Sequence, residues 1–160
     1  MSSPHSVMVV DDEPEIANLY SEFLQRSGFN STCFIDPLLA LEHYNQNPNR
    51  YSLVITDLCM PSLDGIRLAK RIREFDTKIK ILLITAFYFN DMLDTEEYKE
   101  AKLSGLIQKP TKLSVLKQRI VELLSKWPFH LANFLNNTND TTIHECRYVI
   151  WKAICRSCKN

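Results

Sequence analysis

Four short segments, far apart in the chain, carry side chains that could do chemistry together. Asp11-Asp12-Glu13 follows the run Ser6-Val7-Met8-Val9-Val10, and Asp57 follows Leu53-Val54-Ile55-Thr56. Thr85-Ala86 follows the apolar run beginning at Lys80, and Lys109-Pro110 follows Leu106-Ile107-Gln108. Brought to one place, Asp11, Asp12 and Asp57 repel one another unless a cation neutralises them. Mg²⁺ suits such a set, because it prefers carboxylate oxygens completed by waters. Lys109 adds a positive charge and Thr85 a hydroxyl donor, which together make a place for an anion beside a metal; a phosphoryl group fits best. Asp57 is then the natural nucleophile, since a carboxylate can form an aspartyl phosphate. Mg²⁺ and Lys109 would offset charge on the equatorial oxygens as it transfers.

The elements that must position these residues are legible as alternating patterns. Ser6 to Val10 is short, apolar and rich in β-branched residues, as a buried strand is. Ile16, Leu19, Tyr20, Phe23 and Leu24 recur at helical spacing, with Pro14 suited to the first turn and Gly28 to the stop. Asn30 to Ile35 reads as a second strand and Pro37 to Gln46 as a second helix. Leu53 to Thr56 is a third strand ending on Asp57. Leu68, Ala69, Ile72 and Phe75 share the face of a third helix beginning after Gly65. Lys80 to Ile84 is a fourth strand ending on Thr85, and a weaker helix falls between Asp94 and Lys102. Leu106 to Gln108 is a fifth strand ending on Lys109, and Leu113, Leu116, Ile120, Leu123, Leu124 and Trp127 mark a long final helix. Strand–helix alternation of this kind implies an α/β fold, a parallel sheet covered on both faces with right-handed crossovers. Ligands of such sheets bind beyond the carboxyl ends of the strands, where the strand order reverses. All four chemical segments lie at those ends.

Each residue alone has a plainer role. Asp12 before Glu13-Pro14 could be a helix N-cap, Asp64-Gly65 a turn feeding the third helix, Thr85 a strand end and Lys109 a solvated lysine. Their combination favours the acidic site. Composition narrows the field further. The 160 residues hold 19 Lys+Arg against 19 Asp+Glu, so no net basic field draws the protein to nucleic acid or anionic membranes. No run of ~20 apolar residues could span a membrane, and Met1-Ser2-Ser3-Pro4-His5 lacks the features of a signal peptide, which points to the cytoplasm. Cys33, Cys59, Cys146, Cys155 and Cys158 make an odd count, expected to be reduced thiols there.

With these residues in hand, the sequence resembles the receiver domain of two-component response regulators over about residues 5 to 126. The resemblance rests on Val9-Val10-Asp11-Asp12-Glu13, Asp57-Leu58-Cys59-Met60-Pro61-Ser62-Leu63-Asp64-Gly65, Thr85-Ala86 and Lys109-Pro110. It implies a flavodoxin-like, doubly wound five-stranded sheet of order 2-1-3-4-5. It also implies that Asp57 accepts phosphate from a phosphohistidine of a sensor kinase or phosphotransfer protein. Asp12 would ligate Mg²⁺ directly, Asp11 mainly through water, with Asp57 and the backbone carbonyl of Cys59 as further ligands. Thr85, the amide of Ala86 and Lys109 would bind the phosphoryl oxygens, and Lys109-Pro110 would be cis. A rival class, the haloacid-dehalogenase-like phosphatases, also phosphorylates an aspartate but places it after the first strand in an Asp-x-Asp pattern; Asp11-Asp12-Glu13-Pro14 breaks that spacing.

Three departures from the family pattern touch signalling. The position three before Lys109, often Tyr or Phe and a rotamer switch in the family, is Leu106. The stretch from Thr85 to Lys109 is longer than usual, so Phe87 to Asp94 should form an enlarged loop whose aromatics suit an interface. Cys59 and Phe87 stand two residues beyond Asp57 and Thr85, where family members control access of water; bulky Phe87 is expected to slow hydrolysis.

The organisation expected is a receiver domain over 5–127, a polar linker over 128–142 and an amphipathic helical tail over 143–160. The tail carries Ile143, Cys146, Ile150, Ile154 and Cys158 on one face and Lys152, Arg156 and Lys159 on the other. It is too short for a helix-turn-helix output domain, so DNA is not the expected partner. His144, Cys146, Cys155 and Cys158 could ligate zinc, but not at the spacing of a standard finger. The reading is a phosphorelay switch rather than an enzyme, acting on a downstream protein. The alternative is a constitutive interaction module, dimerising through its tail helix.

Overall fold

The computed structural model describes residues 5–86 and 95–125. The chain separates into two units, Met1–Lys126 and Trp127–Asn160, and every described residue belongs to the first. The expectations for the 87–94 loop, Phe87, the linker, the tail helix and its candidate zinc ligands all lie outside the described residues.

Within the first unit, strands and helices alternate: β1 Ser6–Val10, α1 Pro14–Arg26, β2 Asn30–Phe34, α2 Pro37–Gln46, β3 Leu53–Asp57, α3 Gly65–Phe75, β4 Lys80–Thr85, α4 Glu96–Ala101, β5 Gly105–Gln108 and α5 Leu113–Leu124. The five strands are all parallel, in the order β2-β1-β3-β4-β5. The strand order reverses at the β1–β3 boundary, so the expected binding rim lies where Asp11 and Asp57 end their strands.

Because side chains alternate along a strand, the sheet sorts its apolar residues into two layers. Met8, Val10, Val54, Ile81 and Leu83 face α2, α3 and α4 through Ala40, Tyr44, Ile66, Leu68, Ala69, Ile72 and Ala101. Val7, Val9, Leu53, Ile55, Leu82, Ile84 and Ile107 face α1 and α5 through Tyr20, Leu24, Leu116 and Ile120. β3 and most of β4 are buried on both faces, which is why they read as unbroken apolar runs rather than alternating ones. Each large aliphatic side chain so buried stabilises the fold by ~1.5–3 kcal/mol before entropy is set against it.

Two expected core residues are not core. Leu19 is 48 % exposed. The buried stripe of α1 is Ala17, Tyr20, Ser21 and Leu24, and Leu19 lies roughly 200° round the helix from Ala17, on the solvent side. The small residues Ala17 and Ser21, inconspicuous in a hydrophobic pattern, take the sheet-facing places. Phe75 is 66 % exposed. It continues the buried stripe of α3 but is the helix's last residue, at the lip of a surface groove it shares with Tyr44, Pro48 and Asp76. The short α4 is tied to α3 by a Lys70–Glu100 ion pair of 2.7 Å and by an Arg73 guanidinium N–H donated to the carbonyl of Lys102 at 2.9 Å.

Candidate functional site

Sheet alternation dictates which chemical residues can meet. Asp11, Asp57 and Lys109 each stand two residues beyond a member of the α1/α5 layer, namely Val9, Ile55 and Ile107. They therefore extend that layer past the sheet's end. Thr85 stands two beyond Leu83 and extends the opposite layer. The acidic pair and the lysine meet on one side of the rim, and the hydroxyl approaches from the other.

The lysine is where the charges converge. Its Nζ lies 3.0 Å from Asp11 Oδ2 and 2.6 Å from Asp57 Oδ1. Asp11 and Asp57 are buried, and so is Thr85. Burial works against a charged Lys109, but its hydrogen bonds to Asp57 and Asp11 outweigh that and hold its pKa above the ordinary lysine value. Burial raises the pKa of Asp11, and nearby Asp57 adds to this; the hydrogen bonds from Lys109 and from the Glu13 N–H oppose it. The two directions pull apart: the rise at Lys109 says ion pair, the rise at Asp11 says buried acid. Contacts as short as these support the ion pair, with burial limiting what it contributes.

Local backbone fixes the carboxylates. Asp11 Oδ1 accepts from the Glu13 N–H at 3.0 Å, and the Asp11 N–H donates to Phe34 O at 3.1 Å. Asp57 Oδ2 accepts from the Cys59 N–H at 2.6 Å. The carbonyl of Asp57 accepts from the Thr56 hydroxyl at 2.9 Å, which satisfies a fully buried polar group. On the far strand, the Lys109 N–H donates to Thr85 O at 2.7 Å, and Lys109–Pro110 is cis.

The plainer reading of Asp12 is corrected here. Helix α1 begins at Pro14 with Glu13 as its N-cap and no side-chain cap bond, so Asp12 does not cap it. Asp12 stays partly exposed at the rim, while Asp11 turns into the site. Asp64 and Gly65 do feed α3 as expected, with Asp64 capping through its side chain to the Arg67 N–H at 2.8 Å. Gly65 does more than turn. A Cβ there would collide with the carbonyl oxygen of Asp57, so only glycine lets α3 start this close to the acceptor. Sequence reading gave Gly65 no part in the site, and the signal was present only as its distance of eight residues from Asp57.

The exposed thiol of Cys59 has its pKa raised by burial and by the neighbouring carboxylates of Asp57, Asp64 and Asp12, so it is not poised as a thiolate. Leu106, at the position where the family often has an aromatic, is half-buried opposite Leu83 and packs into the α2/α3/α4 layer.

Among the described residues, no three His, Cys, Asp or Glu side chains already form a metal-ligand group. The rim nevertheless suits a hard cation. Its donors are carboxylate oxygens, and Lys109 stands between two of them as the counter-charge. Mg²⁺ does not need a closed protein cage, since it keeps several waters and binds through one or two carboxylates.

A parallel 2-1-3-4-5 sheet with acidic residues at its switch point and a lysine and a threonine at the ends of β5 and β4 defines the response-regulator class of receiver. The chain belongs to that family: the model of the response regulator receiver domain matches residues 7–121. It is 30 % identical over 119 residues to the response regulator receiver protein CpdR of Brucella abortus, covering 74 % of this chain and 95 % of that one. It is 27 % identical over 118 residues to sporulation initiation phosphotransferase F of Bacillus subtilis, covering 74 % and 92 %. Among solved structures, the response regulator TrrA of Thermotoga maritima, in complex with Mg²⁺ and BeF, matches with a TM-score of 0.66 and 30 % identity, covering 75 % of this chain and 99 % of that one. No helix among the described residues is long and apolar enough to cross a membrane.

Proposed function

We propose that the protein is a phosphorelay response regulator in which Asp57 accepts a phosphoryl group from a phosphohistidine of a sensor kinase or phosphotransfer protein. The observation that carries this reading is the single ammonium of Lys109 spanning Asp11 and Asp57. A cation held between two buried carboxylates has somewhere to go when an anion arrives. In the transfer, an oxygen of the Asp57 carboxylate bonds to phosphorus as the bond from phosphorus to the donor nitrogen breaks, its electron pair returning to the imidazole.

Lys109 passes from Asp57 to a phosphoryl oxygen, and the Thr85 hydroxyl and Ala86 amide bind the others. The Cys59 N–H holds the acceptor carboxylate in orientation throughout. Mg²⁺ would be held by Asp11, Asp12, Asp57 and the Cys59 carbonyl, and when bound it supplies charge neutralisation at the transferring oxygens. The consequence is altered protein–protein contact rather than turnover of a substrate, in a protein working in the cytoplasm on a downstream protein.

The test is incubation with acetyl phosphate and Mg²⁺ followed by intact-mass measurement. A gain of one phosphoryl group, abolished by EDTA and by Asp57→Asn in a folded variant, is expected. Multiple turnover of a small phosphate ester, or labelling that survives Asp57→Asn, would overturn the reading.

A further inference from the structure

Phe75 is 66 % exposed, although it continues the buried stripe of α3. It forms one lip of an open groove of about 390 Å³ between the end of α2 and the turn from α3 into β4. Tyr44 and Pro48 line the α2 side, and Asp76 and Lys78 line the turn. The groove stands where β4 begins, and Asp57 stands where the parallel β3 ends, so the two lie on opposite rims of the sheet.

The charges at the groove are unevenly committed. Asp76 is the one carboxylate among the described residues that line it, and both of its oxygens are taken. Oδ1 accepts from the Lys78 and Ile79 N–H groups at 2.8 and 2.9 Å, and Oδ2 accepts from the Tyr44 hydroxyl at 2.9 Å. The Arg73 guanidinium donates to the Asp76 carbonyl at 3.1 Å and adds a positive charge beside it. The Lys78 ammonium forms no ion pair among the described residues, and neither does Arg50, whose guanidinium lies 5.7 Å over the Tyr51 ring. Tyr51 in turn stacks on Tyr44, with ring centroids 6.2 Å apart, so Arg50 flanks the aromatic wall of the groove. The chain as a whole has no net charge, which makes this excess of uncommitted cations a local feature. Glu74, the carboxylate next to Phe75 in sequence, does not line the groove.

An aromatic wall in a positive field suits an occupant with an apolar anchor flanked by carboxylates. Sites for small molecules bury most of the ligand, which an open groove does not do. An extended chain can lie along such a groove, held by one ring as aromatic side chains hold interfaces. We propose that this groove docks an acidic peptide segment of a partner protein, its aromatic residue against Phe75 and Tyr44 and its carboxylates toward Lys78 and Arg50. Docking there leaves the Asp57 rim open, so the partner is held in either state of the acceptor.

The test is titration of the ¹⁵N-labelled full chain with acetyl-Glu-Phe-Glu-amide, which should shift the amide signals of Tyr44 and of residues 75–78. Acetyl-Lys-Phe-Lys-amide reverses the charge and acetyl-Glu-Ala-Glu-amide removes the ring, and each should bind about tenfold more weakly. Lys78→Gln should weaken the first peptide by roughly threefold and Phe75→Ala by roughly tenfold. Both side chains are exposed, so both variants should keep the wild-type melting temperature and the wild-type rate of phosphorylation by acetyl phosphate.

No shift with the first peptide, equal affinity for the acidic and basic peptides, or binding that survives Phe75→Ala overturns the proposal. Three other outcomes also overturn it by assigning the groove elsewhere. Groove signals that move on dilution assign it to a second copy, and nuclear Overhauser contacts from Phe75 to residues 127–160 assign it to the chain's own C-terminal segment. Sedimentation with phosphatidylserine vesicles, lost in Phe75→Ala, assigns it to a membrane surface.

Discussion

Replacing Lys109 with Met keeps most of the side chain's apolar stem and removes the charge, leaving Asp11 and Asp57 facing each other. Both carboxylates contact one ammonium, at 3.0 and 2.6 Å, so the bonded oxygens lie within about 6 Å of each other. At an effective dielectric of ~20, two like charges at that separation repel by about 3 kcal/mol, and the two attractions are lost as well. The loss is capped because Asp11, already raised by burial, can take up a proton instead. Breaking a buried pair from one side costs ~3–5 kcal/mol. Lys109 is 19 % exposed, so solvent takes part of that and about 2–4 kcal/mol is expected.

The pH dependence carries the sign. In the wild type, the raised pKa of Lys109 contributes stability that is complete below the unfolded value of ~10.4 and is lost only as pH rises through the folded pKa. In Lys109→Met, a carboxyl with its folded pKa raised further binds more protons folded than unfolded, so stability falls as pH rises from about 4 towards 7. Urea denaturation of both proteins at pH 5 and pH 7 reads this directly. The deficit should be smaller at pH 5, and at pH 7 the melting temperature should drop by on the order of 10 °C. Mg²⁺ should restore more stability to the variant than to the wild type, where it must displace the ammonium. A Lys109→Met protein as stable as wild type at pH 7, with no added dependence on pH, would falsify the reasoning.

Other perturbations follow from the same geometry. Gly65→Ala should destabilise by ~1–3 kcal/mol in urea, because the new Cβ meets the Asp57 carbonyl oxygen and backbone has to move. Ile120→Ala should cost ~2–5 kcal/mol as a cavity in the α1/α5 layer, whereas Leu19→Ala and Phe75→Ala, exposed as they are, should each stay within ~0.5–1 kcal/mol of wild type. Asp76→Ala should cost ~1–3 kcal/mol at pH 7, since it leaves the N–H groups of Lys78 and Ile79 and the Tyr44 hydroxyl without their acceptor. Burial opposes the charge on Asp76, but those bonds depress its pKa, so its contribution is complete above ~4 and fades as pH falls through the folded value. The Asp76→Ala deficit should therefore shrink in acid denaturation.

The order of elements was legible because β1, β3, β4 and β5 are short apolar runs with a carboxylate, threonine or lysine at their ends, although β2, Asn30–Phe34, is largely polar, and because α1, α3 and α5 show an apolar stripe. α2 matches its expected bounds, Pro37–Gln46, because Asp36-Pro37 starts a helix by both capping and fixed φ. What the pattern missed are features that depend on contact rather than period. Leu19 was placed inward because size outweighs phase in a short stripe; Ala17 and Ser21 hold that place. Arg73 of α3 reaches the end of α4, a tie that only tertiary structure creates. At the site, the residue types and their common rim were legible, and the resemblance supplied their roles. The pairing of Lys109 with both Asp11 and Asp57 was not, since sequence shows which charges meet but not which of them share a partner.

The two layers described above meet the rim differently. Asp11, Asp57 and Lys109 crown the side covered by α1 and α5, and Thr85 crowns the side covered by α2, α3 and α4. A phosphoryl group on Asp57, held by Lys109 on one side and Thr85 on the other as proposed, would straddle the sheet like a rivet through a plate. Tightening it would draw on both sides at once, so that α1 on one face and α4 on the other would answer to one event. A partner reading either side of the sheet could then sense the same charge on Asp57.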